Sequence, residues 1–144
     1  MLIGEYLHTL DGKRRISLPA KFRKELGKKV VITRGLDSSL FVFPASRWKT
    51  LVEKLANLSM GQSEARAFNR FFLASAQELE VDALGRVLLP EYLARFAELN
   101  DKVVLIGVHD RIELWSEARW HAYRERTLQH VDVMAEKLGD LGLI

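Results

Sequence analysis

Between Lys13 and Arg34 the chain carries nine basic residues, Lys13, Arg14, Arg15, Lys21, Arg23, Lys24, Lys28, Lys29 and Arg34, against a single acid, Glu25. Lysine and arginine at that density can neutralise phosphates and release the counterions condensed on them, so the chemistry in view is polyanion binding. Arginine also has a planar fork of N–H donors that matches O6 and N7 of guanine in a major groove. A basic run can equally be solvated surface, and the distribution of charge along the chain decides between the two. Residues 1–72 hold 14 Lys and Arg against 6 Asp and Glu, a net +8, while residues 73–144 hold 8 against 13, a net −5. The overall +3 therefore hides a basic first half beside an acidic second half.

Other chemistries find little to work with. Cysteine is absent, which excludes a disulfide scaffold, a thiolate zinc site, an iron–sulfur cluster and a cysteine nucleophile. The histidines are His8, His109, His121 and His130. On a regular C-terminal helix His121 and His130 would face opposite sides, so they make no metal pair. Gly12-Lys13 lacks the upstream glycine and the following Ser/Thr of a P-loop, and neither a G-x-S-x-G nor a G-x-G-x-x-G run occurs. His109-Asp110 reads as a turn between strands. The expectation is a protein that is not an enzyme, with no cofactor, no metal and no small-molecule substrate.

The remaining composition describes a folded chain, with 48% hydrophobic and 28% charged residues and three prolines. No apolar run approaches the roughly 18 residues of a membrane span, and Met1-Leu2-Ile3 leads straight into Gly4-Glu5 rather than into a signal peptide. A cytoplasmic protein without membrane contact is expected. At 144 residues there is room for one medium domain, or for two very small ones sharing a core.

An internal repeat favours the second arrangement. Asp11-Gly-Lys-Arg-Arg15-Ile-Ser-Leu-Pro19 aligns with Asp82-Ala-Leu-Gly-Arg86-Val-Leu-Leu-Pro90 at an offset of 71. Downstream, Lys29-Val-Val-Ile32 matches Lys102-Val-Val-Leu105, and Leu40-x-Val42-Phe43 with Arg47-Trp48 matches Ile112-x-Leu114-Trp115 with Arg119-Trp120. Matches kept in order over about 40 residues mark a duplicated unit.

Each copy reads as β-β-α-β-β. In the first, strands cover Gly4 to Leu10 and Arg14 to Leu18 around a turn at Asp11-Gly12, Pro19 opens a short helix to Leu26, and Val30–Thr33 and Leu40–Phe43 are strands. In the second, the equivalents are Glu78–Val81, Arg86–Leu89, a helix from Pro90 to Leu99, Val103–Val108 and Arg111–Trp115. Helical spacing recurs in Trp48, Leu51, Val52, Leu55 and Leu58, in the segment Glu64–Ala76 with its three phenylalanines, and from Trp120 through Leu138. The organisation is thus 4–47 as a basic unit, 48–75 as connecting helices, 76–119 as an acidic unit and 120–144 as a C-terminal helix. A unit of about 45 residues can scarcely bury its own core, so the two are expected to pack their sheets together. Apolar stripes left on the flanking helices favour a homo-oligomer.

The doubled Asp-x-x-x-Arg, each followed by proline four residues after the arginine, resembles the MraZ family of bacterial proteins with two tandem SpoVT–AbrB-type units. The resemblance covers nearly the whole chain, from Gly4 to the C-terminal helix. It implies an α+β fold in which the duplicated units form a swapped-hairpin, AbrB-like β-barrel core with flanking helices. It also implies assembly of several chains into a ring and binding to repeated boxes in promoter DNA. Such regulators act on the division and cell-wall gene cluster and associate with the nucleoid. An alternative within the same fold is an antitoxin-like interaction module that binds a protein partner, although here the tail is a helix rather than an extended arm.

The repeat sorts the candidate residues. Asp11 and Arg15 recur as Asp82 and Arg86 even in the acidic unit, so a carboxylate–guanidinium brace of the hairpin is the economical reading of Asp11, Asp82 and Arg86. Lys13 and Arg14 become Leu84 and Gly85 and are the first candidates for contact with double-stranded DNA, joined by Lys21 and Arg23. Arg15 fits both roles, because strand alternation turns it away from Ile16 and Leu18.

Overall fold

The structure, a computed structural model, describes residues 1–144. The first copy comprises β1 (Leu2–Thr9), β2 (Arg15–Ser17), α1 (Ala20–Leu26), β3 (Lys29–Arg34) and β4 (Leu40–Pro44). After α2 (Ala45–Ala56) and α3 (Ser63–Ala74), the second copy repeats the order as β5 (Gln77–Glu80), β6 (Arg86–Leu88), α4 (Glu91–Phe96), β7 (Lys102–His109) and β8 (Ile112–Ser116). Two helices follow, α5 (Glu117–Leu128) and α6 (Val131–Asp140). The fold is α+β and duplicated. Pro19, Pro44 and Pro90 stand immediately before α1, α2 and α4 with φ between −52° and −58°. Their missing N–H and fixed φ end the preceding extended segment and start a helix without disturbing any ladder.

The two copies do not each build a sheet. They share one six-stranded antiparallel sheet in the order β1-β7-β8-β4-β3-β5, and a two-stranded ribbon, β2-β6. The first strand of each copy pairs with the third strand of the other: β1 with β7 from Leu2↔His109 to Thr9↔Lys102, and β5 with β3 from Lys29↔Glu80 to Ile32↔Gln77. At the centre, β4 meets β8 through Leu40↔Leu114 and Val42↔Ile112. The strand order reads the same when the copies are exchanged. The expectation from unit size, that the two units pack their sheets together, is met by strand exchange within one sheet rather than by two separate sheets. The ladder stays open at β1 and β5, so the core is barrel-like only through the packing of the ribbon and short helices against the sheet, not through a closed barrel of hydrogen bonds.

That packing encloses a cluster of 20 buried residues, ten from each half, including Leu2, Ile16, Phe22 and Val30 from the first and Val87, Leu93, Val103 and Leu114 from the second. The other face of the sheet is covered separately. Phe41, Phe43, Leu55 and Phe72 form one cluster under α2 and α3, and Val104, Ile106 and Trp115 another beside Trp120 and Tyr123 of α5. Thr33 and Ser75, both buried, bond to each other and to the Phe72 carbonyl, tying β3 to the end of α3. Gly107 lets β1 approach: a Cβ there would lie 2.6 Å from the Ile3 nitrogen.

Most boundaries shift by one to three residues from the sequence reading, α2 for instance starting at Ala45 rather than 48, and two helices differ more. The helix after Pro90 ends at Phe96, before Glu98 turns left-handed at φ 53°. The single helix expected over 120–144 is two, broken at Gln129–His130, where the His130 N–H bonds to the Thr127 carbonyl. No helix is long and apolar enough to cross a membrane.

Because each copy's first strand is completed only by the other copy, the halves 1–71 and 72–144 expressed separately will show no cooperative thermal transition by circular dichroism. Mixing them will restore one.

Candidate nucleic-acid interface

The β2–β6 ribbon positions most of the residues singled out in the sequence. Its register is Arg15↔Leu88, Ile16↔Val87 and Ser17↔Arg86. Ile16 and Val87 point inward and are buried, so alternation sends Arg15, Ser17, Arg86 and Leu88 outward. Antiparallel pairing puts the two turns at opposite ends. The Leu89 N–H donates to the Arg14 carbonyl at 2.8 Å at one end, and the Leu18 N–H to the Gly85 carbonyl at 2.9 Å at the other.

The turns are built alike, residue by residue. In the first, Asp11 Oδ1 accepts from the Lys13 and Arg15 backbone N–H groups, each at 2.8 Å, and Oδ2 accepts from Arg15 Nε at 3.0 Å. In the second, Asp82 Oδ1 accepts from the Leu84 and Arg86 N–H groups at 2.9 and 2.8 Å, and Oδ2 from Arg86 Nε at 2.9 Å. Main-chain bonds close both loops, Asp11 N–H to the Arg15 carbonyl and Asp82 N–H to the Arg86 carbonyl. The Arg15 N–H contributes most to holding the Asp11 carboxyl below its ordinary value of 3.8, and the Arg86 N–H does the same for Asp82. Each aspartate organises its turn, and each arginine, tethered through Nε, keeps its outer Nη groups for another acceptor.

The residue that needs left-handed backbone is not Gly12 but the third after each aspartate: Arg14 at φ 62° and Gly85 at φ 78°. Ala83 stands in Gly12's place in the second turn without changing it. A non-glycine residue there is strained by about 1 kcal/mol, and Arg14 is nevertheless seated, with its Nε donating to the Leu89 carbonyl at 3.2 Å. At the opposite end Gly85 has no side chain, and Arg23 from α1 fills the space. Its Nε donates to the Leu18 carbonyl at 2.8 Å, and a Cβ on Gly85 would fall 2.2 Å from its Cζ. Leu18 and Leu89 are repeat equivalents, as are Arg23 and Ala94. One guanidinium therefore caps each end of the ribbon, both from the first copy: Arg14 of its turn at one end and Arg23 of its helix at the other. Reading the sequence alone missed this exchange, whose only trace is the pairing of Arg14 with Gly85 and of Arg23 with Ala94 in the repeat alignment.

Lys13 and Lys21 are exposed and hold no protein partner, Lys13 at the first turn and Lys21 on α1, whose Phe22 and Leu26 are buried. Lys24 is exposed on the same helix. The structure thus brings Lys13, Arg14 and Arg15 together at one end of the ribbon. Arg23 stands at the other end, beside Gly85 and close to Asp82 and Ala83, which line the same cleft. In the second copy the cations are largely gone, Arg86 being the one that remains on the ribbon. No group of three or more His, Asp or Glu side chains is arranged to hold a metal ion.

The chain matches known proteins over its whole length. A family model described as "MraZ protein, putative antitoxin-like" matches twice, over residues 1–71 and 72–138. A protein of Desulfitobacterium hafniense named transcriptional regulator MraZ is 48% identical over 143 residues, covering 99% of this chain and all of the relative. Proteins of the same name from Moorella thermoacetica and Clostridium acetobutylicum are each 46% identical with the same coverage.

Two outcomes follow for the turns. Replacing Gly85 by Ala evicts the Arg23 guanidinium, whereas in an R23A background it costs only the left-handed backbone. A double-mutant cycle of G85A and R23A in thermal melts will therefore give a coupling of about 1 kcal/mol, the value of one hydrogen bond. Both aspartates have folded pKa values below their unfolded ones, so their contribution is present above the unfolded value and is lost as pH falls through the lowered one. D11N and D82N will flatten the acid limb of the stability–pH curve. Part of that limb will remain, from Glu25 held down by the Met1 amine and Glu98 held down by Arg119.

Proposed function

The chain belongs to the MraZ family, and from that premise we propose that it is a sequence-specific DNA-binding regulator of transcription. The observation that carries this reading is the braced ribbon: two outward arginines, Arg15 and Arg86, fixed through Nε by Asp11 and Asp82, on a backbone of the kind that fits a major groove. Lys13, Arg14, Arg15, Lys21 and Arg23 are the proposed DNA contacts. Lys13 and Lys21 neutralise phosphates as free cations, and Arg14 and Arg23 offer the Nη groups left after their Nε atoms bond to the Leu89 and Leu18 carbonyls. Arg15 serves in both capacities, since bracing occupies only one edge of its guanidinium. Asp11, Asp82 and Arg86 keep the two turns in shape.

The proposed target is a set of repeated boxes in promoter DNA, those of the division and cell-wall gene cluster, bound by a ring of chains at the nucleoid. Multiplicity is part of the mechanism, because one small ribbon binds weakly, whereas tethered copies on spaced boxes raise the effective concentration of every later contact. Self-association is supported by the surface of α6, where Val131, Met134 and Leu138 recur at helical spacing and all remain exposed. The same stripe would serve the second reading, an antitoxin-like module, which the words of the family description favour. A small protein that co-purifies stoichiometrically and displaces DNA would establish that reading instead.

A gel shift on the DNA upstream of its own gene, at several salt concentrations and against scrambled DNA of equal length, tests the proposal. Specific retention that weakens steeply with salt is expected, and equal retention of both DNAs would reduce the protein to a general nucleic-acid binder. A K13A/R14A variant will lose specific binding and show a shallower salt dependence, by about 1 in slope for each phosphate contact removed. Its sedimentation profile will stay unchanged. DNA with one box will bind far more weakly than DNA with several.

A further inference from the structure

The outward positions of the ribbon and its turns differ between the copies in a simple way. In the first copy, residues 13, 15 and 17 are Lys13, Arg15 and Ser17; their equivalents in the second are Leu84, Arg86 and Leu88. The arginine is kept and both flanking polar residues are replaced by leucine. Neither leucine is taken up by the protein: Leu84 is 65% exposed at the tip of its turn, and Leu88 is 54% exposed on the outer face opposite Arg15. Nothing local calls for leucine there. The first copy makes the same turn and the same strand with Lys13 and Ser17, and the core-facing residue of β6 is Val87.

We infer that Leu84, on the second turn, and Leu88, across the ladder from Arg15, are two apolar contacts that take the C5 methyl groups of thymines in the major groove. The inference rests on the DNA-binding reading above and deepens it. What favours a base edge as the occupant is the company the leucines keep. Leu84 and Leu88 flank Arg86 in sequence, Leu88 lies across the ladder from Arg15, and both guanidinia are held by aspartates in the outward direction. A partner that covers the leucines must also accept these guanidinia. Major-groove edges meet both demands, with acceptors on guanine and the one exposed methyl of the four bases on thymine. The phosphate backbone accepts the guanidinia but has no apolar group to cover the leucines. The first copy then supplies most of the charge, and the second supplies selectivity for thymine-bearing sequence.

The test compares DNA from upstream of the protein's own gene with the same DNA carrying deoxyuridine for every thymine, which deletes only the methyl groups. Fluorescence anisotropy is measured for the wild type and for L84A/L88A, with thermal melts and sedimentation to establish that the variant keeps its fold and assembly. For the wild type, deoxyuridine DNA will bind about fourfold more weakly per methyl contacted, the worth of one buried methylene. L84A/L88A will bind thymine DNA with the weakened affinity and lose nothing further on deoxyuridine DNA. A wild type that binds its DNA specifically yet equally with and without methyls overturns the inference and leaves the DNA reading standing. A double variant that keeps the wild-type ratio also overturns it, and an altered sedimentation profile in that case assigns the leucines to contact between copies. Absence of binding to either DNA overturns the DNA reading and the inference with it.

Discussion

The pairing of β1 with β7, and of β5 with β3, is the constraint from which the rest of the molecule follows. A unit of about 45 residues has too little interior to pay for its own ordering. Exchanging first strands makes one interior from two, and the ten core residues from each half meet in a single cluster. The exchange also fixes where everything else must go. Once β1 and β5 lie at opposite edges of the sheet, the short strands that follow them are brought together as the β2–β6 ribbon, with one turn at each end. The ribbon is only three pairs long and would be marginal alone. It is held by Ile16 and Val87 in the shared core and by turns that leave their aspartates no freedom.

On this near-symmetric backbone the side chains have diverged. Backbone symmetry is enforced by hydrogen bonds that both copies need, so Asp11 and Asp82 make the same set of contacts. Surface positions carry no such requirement. Cations therefore collect on the first copy while the second turns acidic, and leucines replace Lys13 and Ser17 without altering the strand beneath them. The guanidinium at each end of the ribbon shows how far divergence can go before geometry objects. Arg14 lies over the end of β6, where its Nε donates to the Leu89 carbonyl, and the helix residue equivalent to Arg23 is Ala94, which carries no competing cation. Arg23 lies over the end of β2, and only glycine at position 85 leaves room for it. The two solutions cannot be mixed, because two guanidinia at one end would compete for one carbonyl.

Much of this was legible in the sequence, and the reasons for the rest are physical. The repeat, the order of elements and the inward placement of Ile16, Leu18, Val87 and Leu89 follow from spacing, because alternation with period two is set by the strand itself. The partner of a strand is not set that way. Nothing in Leu2–Thr9 says whether it will lie beside β2 or β7, since both would bury the same face. Arg14 hid its left-handed backbone because Gly12, two residues earlier, is the more obvious turn residue, and only its alignment with Gly85 betrays the requirement. The break at Gln129–His130 was concealed by a hydrophobic period that runs from α5 into α6 without interruption. The role of Arg23 required knowing that α1 of one copy sits over the turn of the other, which is tertiary information.

The division of charge bears on how copies of this chain would meet. A two-fold contact pairs one patch with its own copy, whereas a head-to-tail contact can set the acidic half of one chain against the basic half of the next. The acids of α6, Asp132, Glu136 and Asp140, recur every four residues beside the apolar row Val131, Met134 and Leu138. Exposed basic residues stand on the helices of the first copy, Arg47, Lys49 and Lys54 on α2 and Arg70 on α3. A contact between these surfaces would bury the apolar row and pair opposite charges at its rim, whereas a symmetric α6–α6 contact would have only Lys137 of each helix to set against three acids. Head-to-tail contacts close into a ring when the rotation per step divides the circle, and otherwise run on as filaments. In the proposed assembly that rotation is set by how α6 leaves the body after the break at Gln129–His130. The short joint between two helices, rather than the sheet, would then determine how many ribbons face the DNA together.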